Sequence, residues 1–180
     1  PLCPLTSLTL LTRATPLNGY ERLTHYPWLR ELFLAIPSCS ILPLLSLLTR
    51  LTSLDVRILS GGRETYRSSL ADLLPLPLER LNFDNRGLSK IIIEVPPLSS
   101  LRTLIVSQSE LSLSSTEGNP FPRLRNLKLT SVPTIDLSVF ERLCTVQTLF
   151  CDIGDKERLR QVMYVLPRFS SLCQLDFLEF

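Results

Sequence analysis

A six-residue pattern, apolar at its first, fourth and sixth positions, recurs eight times along the chain. Its clearest copy is Leu124-Arg125-Asn126-Leu127-Lys128-Leu129. Leu127 and Leu129 are two apart, so on a strand their side chains share a face, and Leu124 can enter the same core from the strand's start. Before it come Leu5/Leu8/Leu10, Leu29/Leu32/Leu34, Leu51/Leu54/Val56, Leu78/Leu81/Phe83 and Leu101/Leu104/Val106. Val146/Leu149/Cys151 and Leu172/Leu175/Phe177 follow. The unit starts lie 24, 22, 27, 23, 23, 22 and 26 residues apart.

Those spacings fall within the roughly 20–29-residue period of leucine-rich repeats. The expected fold is α/β: an open leucine-rich-repeat horseshoe with about eight parallel strands inside and helices or irregular segments outside. The 41 leucines then have a place, because each repeat covers its neighbour's apolar face. Proline and glycine agree with this register. None of the 14 prolines or six glycines falls inside a unit, as central strands require. Pro4, Pro27, Pro77, Pro97 and Pro122 instead precede units, and Gly19, Gly61, Gly62, Gly87, Gly118 and Gly154 mark turns between them.

The two longest spacings hold the strongest helical patterns, at 63–74 (Tyr66, Leu70, Leu73, Leu74) and 155–166 (Leu159, Val162, Met163, Leu166). Shorter helices are expected at 40–48 and 136–143, and irregular chain at 87–95 and 107–119. Three residues beyond each unit stand Arg13, Pro37, Leu59, Arg86, Ser109, Val132 and Gly154, so the repeats carry no asparagine ladder there.

Residues 1–180 are expected to form one repeat domain. The final unit ends at the C-terminus with no returning segment to cover Phe177, and the chain starts at Pro1 without a methionine. Terminal leucines normally need a polar cap, so the expectation is a fragment of a longer chain that associates through its ends. The richest apolar run, 41–48, is too short to span a bilayer. A net charge of +2 with mixed signs argues against nucleic-acid binding. Five cysteines without a C-x-x-C pair, and no Asn-x-Ser/Thr site, read as reduced thiols in an intracellular protein.

No catalytic constellation emerges. His25 is the only histidine and has no G-x-S-x-G serine or partnered cysteine beside it. Gly61-Gly62-Arg63 lacks the rest of a phosphate loop. The pairs Asp152/Asp155 and Asp84/Glu79 have no neighbour that would raise one pKa, and they read as surface carboxylates. Cys144 and Cys151 are too few for zinc and read as buried small apolar groups. Neither an enzyme nor a metal or other cofactor is expected.

What remains is the strand face turned away from the core. Its middle column reads Thr9, Phe33, Asp55, Asn82, Ile105, Lys128, Phe150, Asp176. Flanking columns add Arg80, Arg57, Asp84 and Asp152. With strands about 4.8 Å apart the row runs roughly 35 Å, suited to a protein segment. Apolar Phe33, Ile105 and Phe150 supply anchors, while Asp55, Arg57, Arg80, Asn82, Asp84, Lys128 and Asp152 supply polar specificity.

The stretches Tyr26-Pro27-Trp28-Leu29-Arg30-Glu31-Leu32, Leu51-Thr52-Ser53-Leu54-Asp55-Val56 and Phe121-Pro122-Arg123-Leu124-Arg125-Asn126-Leu127-Lys128-Leu129 resemble repeats of fungal, basidiomycete-type F-box/leucine-rich-repeat proteins. The resemblance implies recognition repeats that recruit a target for ubiquitylation. It also implies a Skp1-type adaptor, reached only through an F-box segment absent from these 180 residues. Two other readings stand beside it: a repeat scaffold unrelated to ubiquitylation, and a small-ligand repeat receptor of the inositol-phosphate or hormone type. The last ranks low because Arg57, Arg80 and Lys128 are spread over separate repeats.

Overall fold

The architecture comes from a computed structural model, which describes residues 4–11, 20–36, 42–59, 66–69, 71–86, 91–113, 119–131, 142–153 and 156–179. The strands are β1 (Ser7–Leu11), β2 (Glu31–Ile36), β3 (Ser53–Ile58), β4 (Tyr66–Ser69), β5 (Arg80–Asn85) and β6 (Ile91–Val95). They continue with β7 (Thr103–Ser107), β8 (Glu110–Leu113), β9 (Asn126–Thr130), β10 (Thr148–Ile153) and β11 (Gln174–Glu179). Helices α1 (Leu42–Leu45) and α2 (Lys156–Val165) lie between them.

Eight strands form one open sheet in the order β1-β2-β3-β5-β7-β9-β10-β11, every pairing parallel. The register matches the sequence units residue for residue. Leu8, Leu32, Leu54, Leu81, Leu104, Leu127, Leu149 and Leu175 are successive partners across the sheet. From Leu32 to Leu149 this column is buried, and it belongs to a continuous apolar core. An in-register parallel spine with returning segments behind it is the leucine-rich-repeat architecture.

Two backbone devices repeat with the units. Before most strands a three-residue turn closes on the unit's first apolar residue: Leu51 N–H donates to Leu48 O, Leu101 to Leu98, Leu124 to Phe121 and Val146 to Leu143. Leu48, Leu98, Phe121 and Leu143 are buried, so the apolar repeat extends three residues upstream of the unit. At each strand entry, one carbonyl accepts two N–H groups of the next repeat. Thr6, Arg30, Thr52, Glu79, Arg102, Arg125 and Gln147 supply those carbonyls, at 2.8–3.0 Å.

The outer side departs from expectation in repeats three to five. A helix over 63–74 is not formed: Tyr66–Ser69 is a strand and Ala71–Leu73 one turn of 3-10 helix. Irregular chain at 87–95 and 107–119 is likewise corrected, by Ile91–Val95 and Glu110–Leu113. These three strands pair in parallel as a second sheet, β4-β6-β8. The cause is the main register: once β3, β5 and β7 stack at strand spacing, their returning segments run alongside one another at a similar distance, close enough for backbone pairing.

The helix expected at 155–166 is present as α2, followed by a 3-10 turn over Leu166–Arg168. The one expected at 40–48 shrinks to the single turn of α1. The helix expected at 136–143 falls largely outside the described residues, as do the turns at Gly19, Gly61, Gly62, Gly87, Gly118 and Gly154.

At strand exits, Gln108 and Ser131 adopt positive φ of 54° and 51°. That conformation turns the chain out of the sheet after β7 and β9. Asn85 is buried one position before the expected ladder site, and its Nδ2 donates to Gln108 O at 3.1 Å. A single asparagine rung therefore links two repeats. At the ladder position itself, Ser109 is buried and donates from Oγ to Ser107 O at 3.2 Å.

Candidate functional site

Alternation along the strands sends one set of side chains to the core and the other to the opposite face. All ten candidate residues occupy that opposite face, on β2, β3, β5, β7, β9 and β10. Phe33, Asp55, Asn82, Ile105, Lys128 and Phe150 are register partners in one continuous row. From Phe33 to Phe150 the row spans five inter-strand steps, or about 24 Å.

The N-terminal half of this row is a connected polar network. The Arg57 guanidinium lies 4.7 Å from the centre of the Phe33 ring. Arg57 Nε is 3.7 Å from Asp84 Oδ2 and 3.9 Å from Asp55 Oδ1. Asn82 Nδ2 donates to the other Asp55 oxygen at 2.7 Å, and Arg86 Nε donates to Asp84 Oδ2 at 2.7 Å. Two carboxylates face two guanidinium groups, so the network balances its own charge. The Asp84 side chain is 13% exposed and that of Arg86 56%, so the pair is anchored at its acidic end. The surface carboxylate expected at Asp84 is thus a buried one held by arginines. This arrangement places the Arg57 cation over Phe33 and between two carboxylates, which it approaches at ion-pair and not hydrogen-bond distance.

The C-terminal half is looser. Lys128 Nζ sits 4.4 Å over the Phe150 ring, a contact worth about 0.5–1 kcal/mol at an exposed site. Asp152 accepts from Ser131 Oγ at 3.0 Å. Ile105 lies between the halves, half-buried like Phe33 and Phe150. Arg80 is exposed and carries no ion pair among the described residues. The structure therefore joins Phe33, Asp55, Arg57, Asn82 and Asp84 in one cluster and Lys128 with Phe150 in another. Arg80, Ile105 and Asp152 stand apart from both.

Two features escaped sequence reasoning. Arg86 stands at a ladder position in the sequence units, yet it closes the acidic network. The strand-entry rim is the other, and its signal is that Arg102 and Arg125 occupy the same position in successive units. Trp28, half-exposed on that rim, has the Arg50 guanidinium 3.9 Å from its ring centre.

Elsewhere, His25 is exposed at the end of a 3-10 turn, Tyr20–His25, that buries Leu23. Cys151 is buried, and burial pushes its thiol up to about 12. Cys144 is exposed, a correction to its reading as a buried group: it follows the apolar Leu143 and points away from the core. Cys173 is also a free exposed thiol, and Cys3 and Cys39 lie outside the described residues, as do Asp155 and Gly61-Gly62-Arg63. Among the described residues no group of three or more His, Cys, Asp and Glu side chains could hold a metal. No helix there is long and apolar enough to cross a membrane.

No protein-family model matches the chain, and no curated protein does. The solved structures that match include an internalin from Listeria monocytogenes, 18% identical, with a TM-score of 0.37. The alignment covers 98% of this chain and 63% of the internalin, so the chain spans less than two thirds of that protein's length. The leucine-rich-repeat class stands on the strand register itself.

Proposed function

We propose that the exposed face of the eight-stranded sheet binds a segment of another protein, and that these are the target-recognition repeats of an intracellular F-box-type ubiquitin ligase. The observation that carries the binding reading is the row itself. Three half-buried apolar side chains, Phe33, Ile105 and Phe150, are spaced along a surface on which the Asp55 and Asp84 carboxylates are held by hydrogen bonds. Fixed anchors cost little ordering entropy on binding, and aromatic side chains set among polar ones are typical of interface hot spots. The self-balanced charge network suits recognition of a neutral or mixed-charge protein segment. We read it as a binding module, because both carboxylates of the network are engaged by the arginines and Asn82 around them. The ligase assignment draws on the resemblance of the repeats around Trp28, Asp55 and Lys128, and the Skp1-type adaptor would be engaged by an F-box elsewhere in the full protein.

The test is proximity labelling in a basidiomycete cell, comparing the wild-type chain with a Phe33→Ser/Ile105→Ser/Phe150→Ser variant. The expected result is a set of protein neighbours lost in the variant, while thermal melting changes little. Identical neighbours for both proteins would sink the surface. Neighbours lost as expected, but with lifetimes insensitive to proteasome inhibition, would leave the surface standing and remove the ligase role.

A further inference from the structure

A second surface lies along the strand-entry rim, apart from the exposed sheet face. Arg102, Pro122, Arg123, Arg125, Thr145, Gln147 and Ser171 line an open groove of about 360 Å³. It contains three guanidinium groups, three neutral hydrogen-bonding side chains and no carboxylate. The lining runs from the entry of β7 to that of β11, three inter-strand steps or roughly 14 Å, the length of about four residues of extended chain.

The groove's floor is rigid. Arg102 O accepts from the N–H groups of Arg125 and Asn126 at 2.9 and 3.0 Å, and Arg125 O accepts from Gln147 and Thr148 at 2.8 and 2.9 Å. The arginines therefore project from a backbone fixed by the repeat register. Arg102 has one acidic neighbour, Glu79 Oε2 at 3.7 Å, but both side chains are about half exposed and such a pair holds weakly. Arg123 and Arg125 are exposed and have no carboxylate within 4.0 Å among the described residues. In a chain of net charge +2 with mixed signs, this is a local concentration of unneutralised cation.

We infer that this groove takes an acidic, extended segment of a partner protein. Guanidinium groups match carboxylates bidentately, and the elongated lining fits a row of side chains better than one compact anion. Gln147 and Ser171 continue the row as neutral donors beyond the cationic end, while the Thr145 hydroxyl already donates to Phe121 O at 3.3 Å.

The test is fluorescence anisotropy of the 180-residue chain with a labelled peptide, Gly-Ser-Glu-Asp-Glu-Asp-Ser-Gly. Binding is expected to weaken with salt and to be absent for the amide analogue, Gly-Ser-Gln-Asn-Gln-Asn-Ser-Gly. Arg123→Ala/Arg125→Ala should weaken it about tenfold or more, since even one hydrogen bond to a charged group is worth roughly tenfold. Arg125→Lys, which keeps the charge but loses the bidentate fork, should fall between the wild type and the double variant. Arg30→Ala, on the same rim three repeats away, should change nothing. Equal binding by the double variant, or by the amide analogue, would overturn the assignment. So would a single-stranded oligonucleotide that binds more tightly than the peptide through the same arginines.

Discussion

Replacing Leu127 by alanine tests the inward–outward division on which the surface depends. Leu127 is 1% exposed, and its register partners Leu104 and Leu149 are 1% and 0% exposed. Both neighbouring strands are fixed to β9 by parallel pairing, so neither can slide in to fill the space left by the lost atoms. Leucine-to-alanine losses run from about 2 to 5 kcal/mol, and a site that cannot collapse belongs in the upper part of that range, about 3–5 kcal/mol. Lys128, one residue on, is exposed and touches only the Phe150 ring among the contacts described above. Lys128→Ala should therefore cost at most about 1 kcal/mol. Urea denaturation followed by circular dichroism measures both. Leu8→Ala, in a half-buried edge repeat, should cost about half as much as Leu127→Ala. Equal losses at positions 127 and 128 would refute the facing of β9, and with it the row of candidate residues.

Burial of Cys151 predicts both reactivity and pH dependence. Cys144 and Cys173 should react quickly with a thiol reagent in the folded protein, whereas Cys151 should react only on unfolding. Because the folded-state value is raised from 9.0 to about 12, folding favours the protonated thiol. Stability from this group is complete below pH 9 and falls by roughly 1 kcal/mol per pH unit above it. The wild type should thus lose more stability between pH 9 and 10.5 than Cys151→Ala does, and parallel curves would contradict this. Asn85→Ala, which removes the buried donor to Gln108 O, should cost about 1–3 kcal/mol by the same denaturation assay. A loss below about 0.5 kcal/mol would mean that the rung carries no weight.

The inner sheet was legible because one constraint acts eight times. Each unit's two-residue alternation specifies a face, and a slip of one residue would bury Lys128 or Asp55 in place of leucine. The outer side has no such repetition, so local pattern had to decide, and it misled at Tyr66–Ser69. There, apolar residues at helical spacing outweighed a pairing that exists only through the neighbouring repeats. Ile91-Ile92-Ile93-Glu94-Val95 did carry a readable strand signal, being rich in β-branched residues. In the candidate site, sequence columns placed Phe33, Asp55 and Lys128 correctly across strands. Columns alone could not show which charges would neutralise one another. That depends on side-chain reach, as when Arg57 bridges Asp55 and Asp84 while Arg86 reaches back from the strand exit.

The register that aligns the row is the central claim, and a disulfide trap tests it most directly. In a Cys144→Ser/Cys173→Ser background, Ile105→Cys/Lys128→Cys places two thiols on register partners of β7 and β9. Directly opposed parallel positions lie about 4.8 Å apart, within disulfide reach. Ile105→Cys/Thr130→Cys is offset by two residues, roughly 8 Å, and out of reach. After mild oxidation, mass spectrometry should find the 105–128 crosslink in high yield and almost none between 105 and 130. A dominant 105–130 crosslink, or equal yields of the two, would contradict the account.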